Sequence, residues 1–148
     1  MKTILIIEDD IGIQKQLKWS LSDYELVFAQ DRASALTQLR RYEPEVVTLD
    51  LGLPPDPANA SEGLACLNDI LALKPNCKVI VITGNTDTEH ALKAIALGAY
   101  DYYQKPVDPE VLNIILGRAF KISALEIENR ALKSANLGNN DIIGTSEA

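Results

Sequence analysis

Apolar residues alternate along the chain between two spacings. Short continuous runs occur at residues 3–7 (TILII), 25–29 (ELVFA), 45–49 (EVVTL) and 78–83 (KVIVIT), with a shorter candidate at 99–103. A run that is apolar at almost every position and rich in β-branched residues suits a parallel strand buried on both faces. Between the runs the spacing becomes helical: Ile13, Leu17 and Leu21, then Ala35, Leu36 and Leu39 behind a capping residue at Asp31, then residues 64–73, then Ala91, Leu92, Ile95 and Ala96. A last helix opens at Asp108-Pro109, an acidic cap followed by a first-turn proline. Five strand–helix pairs predict an α/β fold, an open parallel sheet covered on both faces, because each parallel connection must cross over and brings a helix with it. Right-handed crossovers leave few topologies, and ligands collect beyond the carboxyl ends of such strands, where the strand order reverses. The residues that end or follow each strand are therefore the informative ones.

Composition narrows the classes. With 148 residues, 47% of them hydrophobic, and a net charge of −7, the chain has material for one cored domain and little else. No apolar run approaches the roughly 20 residues of a membrane helix, and the opening MKTILIIEDD meets acids too early for a secretory signal, so the expected location is cytoplasmic. Cys66 and Cys77 lack metal-ligand spacing, and with the single His90 they cannot assemble a zinc site; they read as reduced core thiols. An acidic balance also opposes sustained contact with a polyanion, so this segment is not expected to bind nucleic acid.

The strand ends carry Glu8-Asp9-Asp10, Asp50, Thr83-Gly84 and Lys105-Pro106. Singly, each has an ordinary explanation: Asp10 as a helix cap, Lys-Pro as a turn. At one sheet edge they make a site. Glu8, Asp9 and Asp50 place three negative charges together, and neighbouring carboxylates raise one another's pKa unless a positive charge intervenes. Lys105 supplies part of that charge and a divalent cation the rest; an all-oxygen site with few protein ligands suits Mg2+. The expected ligands are Asp9 and Asp50 directly, Glu8 through water, and the Gly52 carbonyl. A carboxylate beside magnesium, a lysine and a hydroxyl is also suited to accepting a phosphoryl group: Asp50 as nucleophile, Lys105 and the metal neutralising the transferring oxygens, Thr83 hydrogen-bonding one of them, and Gly84 leaving room.

The motifs IIEDD, VVTLDLGLP, VIVITGN and GAYDYYQKP, in this order and spacing, resemble the receiver domain of two-component response regulators over about residues 1–121. The resemblance implies a flavodoxin-like five-stranded parallel sheet of order 2-1-3-4-5 with five helices. It implies Asp50 as the acceptor of a phosphoryl group from a sensor histidine kinase, Glu8 and Asp9 as the metal pair, Thr83 and Lys105 as phosphate-sensing residues, and Tyr102 as an aromatic switch. Gly52 and Asn85 fall at positions that tune hydrolysis in that family, and Pro106 is expected to follow a cis peptide. An acyl phosphate adds about one negative charge and new acceptor oxygens, which draws Thr83 inward and opens space for Tyr102 to turn into. The plain alternative for Tyr102 is a half-buried aromatic of an edge strand.

Three features extend or depart from that pattern. Residues 53–63 hold about five residues more than the usual short loop, stiffened by Pro54, Pro55 and Pro57; this loop reads either as a shield or kinase contact beside the site or as a tolerated surface insertion. With TGNTD and AYDYYQKP, it is reminiscent of regulators linked to exopolysaccharide and PEP-CTERM protein-sorting systems. Next, the last helix has no proline from residue 110 to about 135, which predicts one helix of about 27 residues, roughly 40 Å long. Ile122, Leu125, Asn129 and Leu132 place a and d positions over about two heptads, the pattern of a parallel coiled-coil dimer, with a monomeric signalling helix as the alternative. Finally, IIGTSEA near the end resembles the opening of the AAA+ ATPase domain of sigma-54-dependent, NtrC-like activators. The expected organisation is a receiver at residues 1–121, a coiled-coil linker at 122–137, and at 138–148 the start of an output ATPase whose remainder, with a DNA-binding domain, lies in a longer protein. No GxxxxGK[ST] loop occurs here, so the segment itself is expected to be a regulatory phosphoacceptor rather than an ATPase. Two rivals are a haloacid-dehalogenase-like phosphatase, whose second Asp is replaced here by Gly52, and a pseudoreceiver serving only as an interaction module.

Overall fold

In the computed structural model, the described residues are 2–53, 60–84, 88–106 and 108–147, with side chains as far as residue 130 together with Leu132. Strands β1 (Thr3–Ile7), β2 (Glu25–Ala29), β3 (Val46–Asp50), β4 (Lys78–Thr83) and β5 (Asp101–Gln104) alternate with helices α1 (Ile11–Ser20), α2 (Arg32–Tyr42), α3 (Ser61–Leu73), α4 (Thr88–Leu97) and α5 (Pro109–Glu147). All strand pairs are parallel, in the order β2-β1-β3-β4-β5. This is the flavodoxin-like arrangement, whose strand order reverses between β1 and β3.

The period of two along each strand divides the core into two layers. Leu5, Ile7, Val47, Leu49, Val79 and Val81 pack against Ala35, Leu39, Leu67, Ile70 and Ala94 of α2, α3 and α4. Ile4, Ile6, Val46 and Ile80 face Leu17, Leu112, Leu116 and Phe120 of α1 and α5. Both cysteines are buried free thiols, and burial pushes each up to about 12, which keeps them protonated and unreactive. Among the described residues no helix is long and apolar enough to cross a membrane.

Caps set the helix starts. Asp10 accepts from the Gly12 and Ile13 N–H groups to open α1, and Asp31 forms a capping box with Ser34 to open α2. β5 begins two residues later than its apolar run suggests, because Gly98, at φ 119°, turns the chain and Ala99 N–H still bonds to the Ala94 carbonyl of α4. β3 is shifted by one residue and ends on Asp50, which pairs with Ile82, so this carboxylate stands on the strand itself. In α4 the small residues Ala91 and Ala94 face the sheet, while Leu92 and Ile95 point outward; apolar spacing alone could not separate the two sets.

α5 spans 39 residues, longer than expected, about 58 Å at the usual rise. No proline interrupts it after Pro109, and an interior glycine costs only about 1 kcal/mol against alanine. Its packed face continues past Phe120 with buried Ser123, and Lys78 Nζ at the start of β4 reaches both Glu126 oxygens at 2.8 Å. The side chains of residues 138–148, including IIGTSEA, lie outside the described residues, as do residues 54–59 of the lengthened loop.

α3 meets the end of β3 very closely. A Cβ on Gly63 would lie 2.4 Å from the Leu51 carbonyl oxygen and 2.5 Å from its Cα, and backbone cannot yield as a side-chain tip can. Gly63→Ala is expected to destabilise the fold by about 1–3 kcal/mol in urea unfolding and, because Leu51 follows Asp50, to disturb the adjacent cleft; an unchanged midpoint would contradict this packing.

Candidate functional site

The carboxyl ends of β1, β3, β4 and β5 open into one cleft of about 320 Å³ lined by Glu8, Asp9, Asp50, Gly52, Thr83, Gly84 and Lys105. The strand order explains the grouping: β1 and β3 are direct neighbours, so the residues at their ends are brought side by side at the reversal point.

Asp50 stands at the centre and is 4% exposed. Its Oδ1 accepts from Gly52 N–H at 2.9 Å, and its Oδ2 accepts from Lys105 Nζ at 3.1 Å. Glu8 is equally buried, whereas Asp9 is exposed, and one carboxylate oxygen from each of Glu8, Asp9 and Asp50 falls within a group no wider than 4.8 Å. Glu8 Oε2 accepts a long 3.3 Å bond from Asp10 N–H, while Oε1 is buried with no hydrogen-bond partner among the described residues. Burial, followed by the closeness and charge of the neighbouring Asp50 carboxylate, pushes the Glu8 carboxyl up to about 9. Burial of the Lys105 amine is the largest single influence on it and opposes its charge, yet Asp50, Glu8 and Asp9 together outweigh it and hold its pKa above the ordinary lysine value.

These observations test the fit of a divalent cation. A buried carboxylate oxygen without a donor, beside two more carboxylates and a single amine, is what a hard cation with oxygen ligands relieves. The Glu8, Asp9 and Asp50 carboxylates and the Gly52 carbonyl have the right donor chemistry. Across the cleft, Thr83 ends β4 with its Oγ1 buried and also unpartnered among the described residues. Asn85 lies outside the described residues. Pro106 follows a cis peptide, and Lys105 N–H bonds to the Thr83 carbonyl at 2.8 Å. Tyr102, on β5, is 37% exposed.

Other contributors escaped sequence reasoning. Gln14 Nε2 donates to the Glu8 carbonyl at 2.6 Å, steadying the acidic turn from α1. His90, which sequence reasoning weighed only as a zinc ligand, lines the cleft from the first turn of α4, as Ala60 does from the start of α3. Their signal was position: each lies just after a strand or at a helix start facing the same sheet edge.

The profile of the response regulator receiver domain matches residues 4–116, and the chain belongs to this family, the regulatory phosphoacceptors of two-component systems. Among its relatives, a putative response regulator described as NtrX-like from Rickettsia conorii is 32% identical over 143 residues, covering 95% of this chain and 30% of that protein. A protein-glutamate methylesterase/protein-glutamine glutaminase of Rhodospirillum rubrum is 34% identical over 119 residues, covering 77% of this chain and 30% of that protein. Among solved structures, NtrX from Brucella abortus superposes with a TM-score of 0.81 at 33% identity, covering 89% of this chain and 30% of that one. The chain thus spans about a third of the length of these relatives.

Burial of the Glu8 carboxyl makes folding pH-dependent. Between the ordinary value of 4.5 and about 9, the folded chain holds a proton that the unfolded chain releases. This contribution to stability is fully present below about pH 4.5, declines as pH rises, and is gone above about 9. In chelator, Glu8→Gln is expected to be more stable than the wild type at pH 8, on the order of 1 kcal/mol or a few degrees in Tm, with the gap closing toward pH 5. A gap independent of pH would contradict the assignment.

Proposed function

We propose that this chain is a phosphorylation-controlled receiver in which Asp50 takes a phosphoryl group from a sensor histidine kinase in a Mg2+-dependent reaction. The reading rests on one observation: two buried polar atoms of the cleft around Asp50 have no partner among the described residues, Glu8 Oε1 suited to a cation and Thr83 Oγ1 suited to an acceptor oxygen. An Asp50 oxygen forms the new P–O bond while the P–N bond of the donor phosphohistidine breaks, and the leaving nitrogen keeps the electron pair and takes up a proton. A bound cation supplies positive charge against the transferring oxygens. Lys105 Nζ, already beside Asp50, moves its hydrogen bond to a phosphoryl oxygen, and Gly52 N–H holds the carboxylate in place. Hydrolysis reverses the state: water attacks phosphorus, and Asp50 returns as a carboxylate with inorganic phosphate released.

The same geometry supports a route outward. Thr83 donates its hydroxyl hydrogen to the acyl phosphate and moves toward it, and Tyr102 turns into the space left behind. Leu92 and Ile95 of α4, Tyr102 of β5, and Val111 and Ile114 of α5 give that surface apolar side chains in solvent, suited to a partner. Farther along α5, Ile122, Leu125 and Leu132 are exposed apolar side chains on the flank away from buried Ser123, and exposed Asn129 borders the groove beside Lys78 and Glu126; this supports a second copy of the helix as the partner of the three apolar residues. In the full-length protein the partners are then the kinase, a second protomer along the linker at residues 122–137, and an AAA+ module beginning near residue 138 that works with sigma-54 and a DNA-binding domain. NtrX-like relatives favour that output; the methylesterase relative, matched over 30% of its length, favours as a second reading a receiver attached to a different module.

Incubation with acetyl phosphate and Mg2+ is expected to add the mass of one phosphoryl group, and Asp50→Asn to abolish the addition; labelling of Asp50→Asn at equal yield would overturn the assignment. Leu125→Glu with Leu132→Glu, both solvent-facing, is expected to weaken self-association at least about tenfold by sedimentation without shifting the unfolding midpoint. An unchanged dissociation constant would remove the helical seam from the account.

A further inference from the structure

Tyr102 and Tyr103 are neighbours on β5 with opposite outlooks. Tyr102 stands beside Val81, which belongs to the core under α2, α3 and α4, whereas Tyr103 stands beside Ile82, on the same face as Ile80 and the α5 layer. The Tyr103 phenolic oxygen accepts a 2.6 Å hydrogen bond from the N–H of Asp108. Asp108 is the residue that opens α5: its side chain accepts from Glu110 N–H at 3.0 Å, and its carbonyl takes the Leu112 N–H at 3.0 Å. Its own N–H lies outside the helical ladder and takes its partner from β5.

The chain between these two residues carries Lys105. On one side Lys105 N–H is tied to the Thr83 carbonyl at 2.8 Å; on the other, the Tyr103–Asp108 bond closes the loop onto the strand it has just left. The amine is thereby held between two fixed points, with Nζ at 3.1 Å from Asp50 Oδ2. A group that must neutralise charge on a transferring phosphoryl gains from being placed beforehand, since a small displacement weakens its interaction steeply.

We propose that Tyr103 is a positioning residue for phosphoryl acceptance, clasping the start of α5 so that Lys105 stands ready beside Asp50. It touches neither Asp50 nor the three-carboxylate cluster and acts through Lys105, so its role rests on the reading of Asp50 and Lys105 given above. It also makes the position of Lys105 depend on where α5 begins, joining the site to the helix that leaves the domain.

Tyr103→Phe tests this in the full chain, because the ring and its packing remain while the acceptor oxygen is removed. Three readouts apply. Amide hydrogen exchange should quicken at Asp108 and Lys105 and stay unchanged at Val81 in the core. The rate constant for phosphorylation by acetyl phosphate at saturating Mg2+ should fall about three- to tenfold, the worth of one hydrogen bond. The Mg2+ dissociation constant should not move, because the carboxylate cluster is untouched. An unchanged phosphorylation rate in Tyr103→Phe, with a wild type that is phosphorylated normally, overturns the role of Tyr103 alone. A parallel loss of Mg2+ affinity overturns it too, by marking a general disturbance of the site. A wild type that takes up no phosphoryl group, with exchange at Asp108 still quickened by the substitution, overturns the underlying function and with it the positioning role, while leaving the hydrogen bond itself established.

Discussion

The strongest constraint on this molecule is the meeting of two buried carboxylates at the reversal of strand order. β1 and β3 are neighbours, so Glu8 and Asp50 are driven together by the pairing that builds the core, and Asp9 joins them at the rim. Burial first, and then the neighbouring Asp50 carboxylate, push the Glu8 carboxyl well above its usual range, and one lysine cannot balance three acids. Charge that costs stability in the resting chain is the same charge that would select a divalent cation and present Asp50 to phosphorus. Stability and function draw on one cluster in opposite directions, a common arrangement where a site must change state.

Around that cluster the fold is built to hold some parts fixed and leave others free. The Gly63 approach to Leu51, the Asp10 and Asp31 caps, and the Gln14 bond to the Glu8 carbonyl fix the acidic side. The opposite wall is less committed: Thr83 Oγ1 has no partner among the described residues, and α4 covers the sheet with alanines while turning Leu92 and Ile95 outward. Between them β5 carries Tyr102 toward the α4 side and Tyr103 toward α5, so a change at Asp50 would have two separate exits from the site.

Much of this was legible in the residue pattern. Four continuous apolar runs mark strands buried on both faces, and once these and a shorter fifth candidate alternate with helices, the rule that ligands gather at carboxyl ends selects Glu8, Asp9, Asp50, Thr83 and Lys105 without knowledge of side-chain positions. What stayed hidden depends on tertiary geometry. The late start of β5 follows from the turn at Gly98, and the outward Leu92 and Ile95 could not be told from Ala91 and Ala94 because all four are apolar at helical spacing. The roles of Gln14, His90 and Tyr103 come from side chains reaching residues distant along the chain or across a loop, which no periodicity reports. The length of α5 was underestimated because its distal part turns polar without a proline to stop it.

Everything turns on whether the acidic cleft at the strand ends holds a divalent cation next to Asp50. Calorimetric titration of the full chain with Mg2+ near pH 7 measures this directly. Saturable binding of one cation is expected, weakened in Asp9→Asn, which removes the exposed carboxylate of the cluster. Equal affinity in Asp9→Asn, or no binding in the wild type, would contradict it.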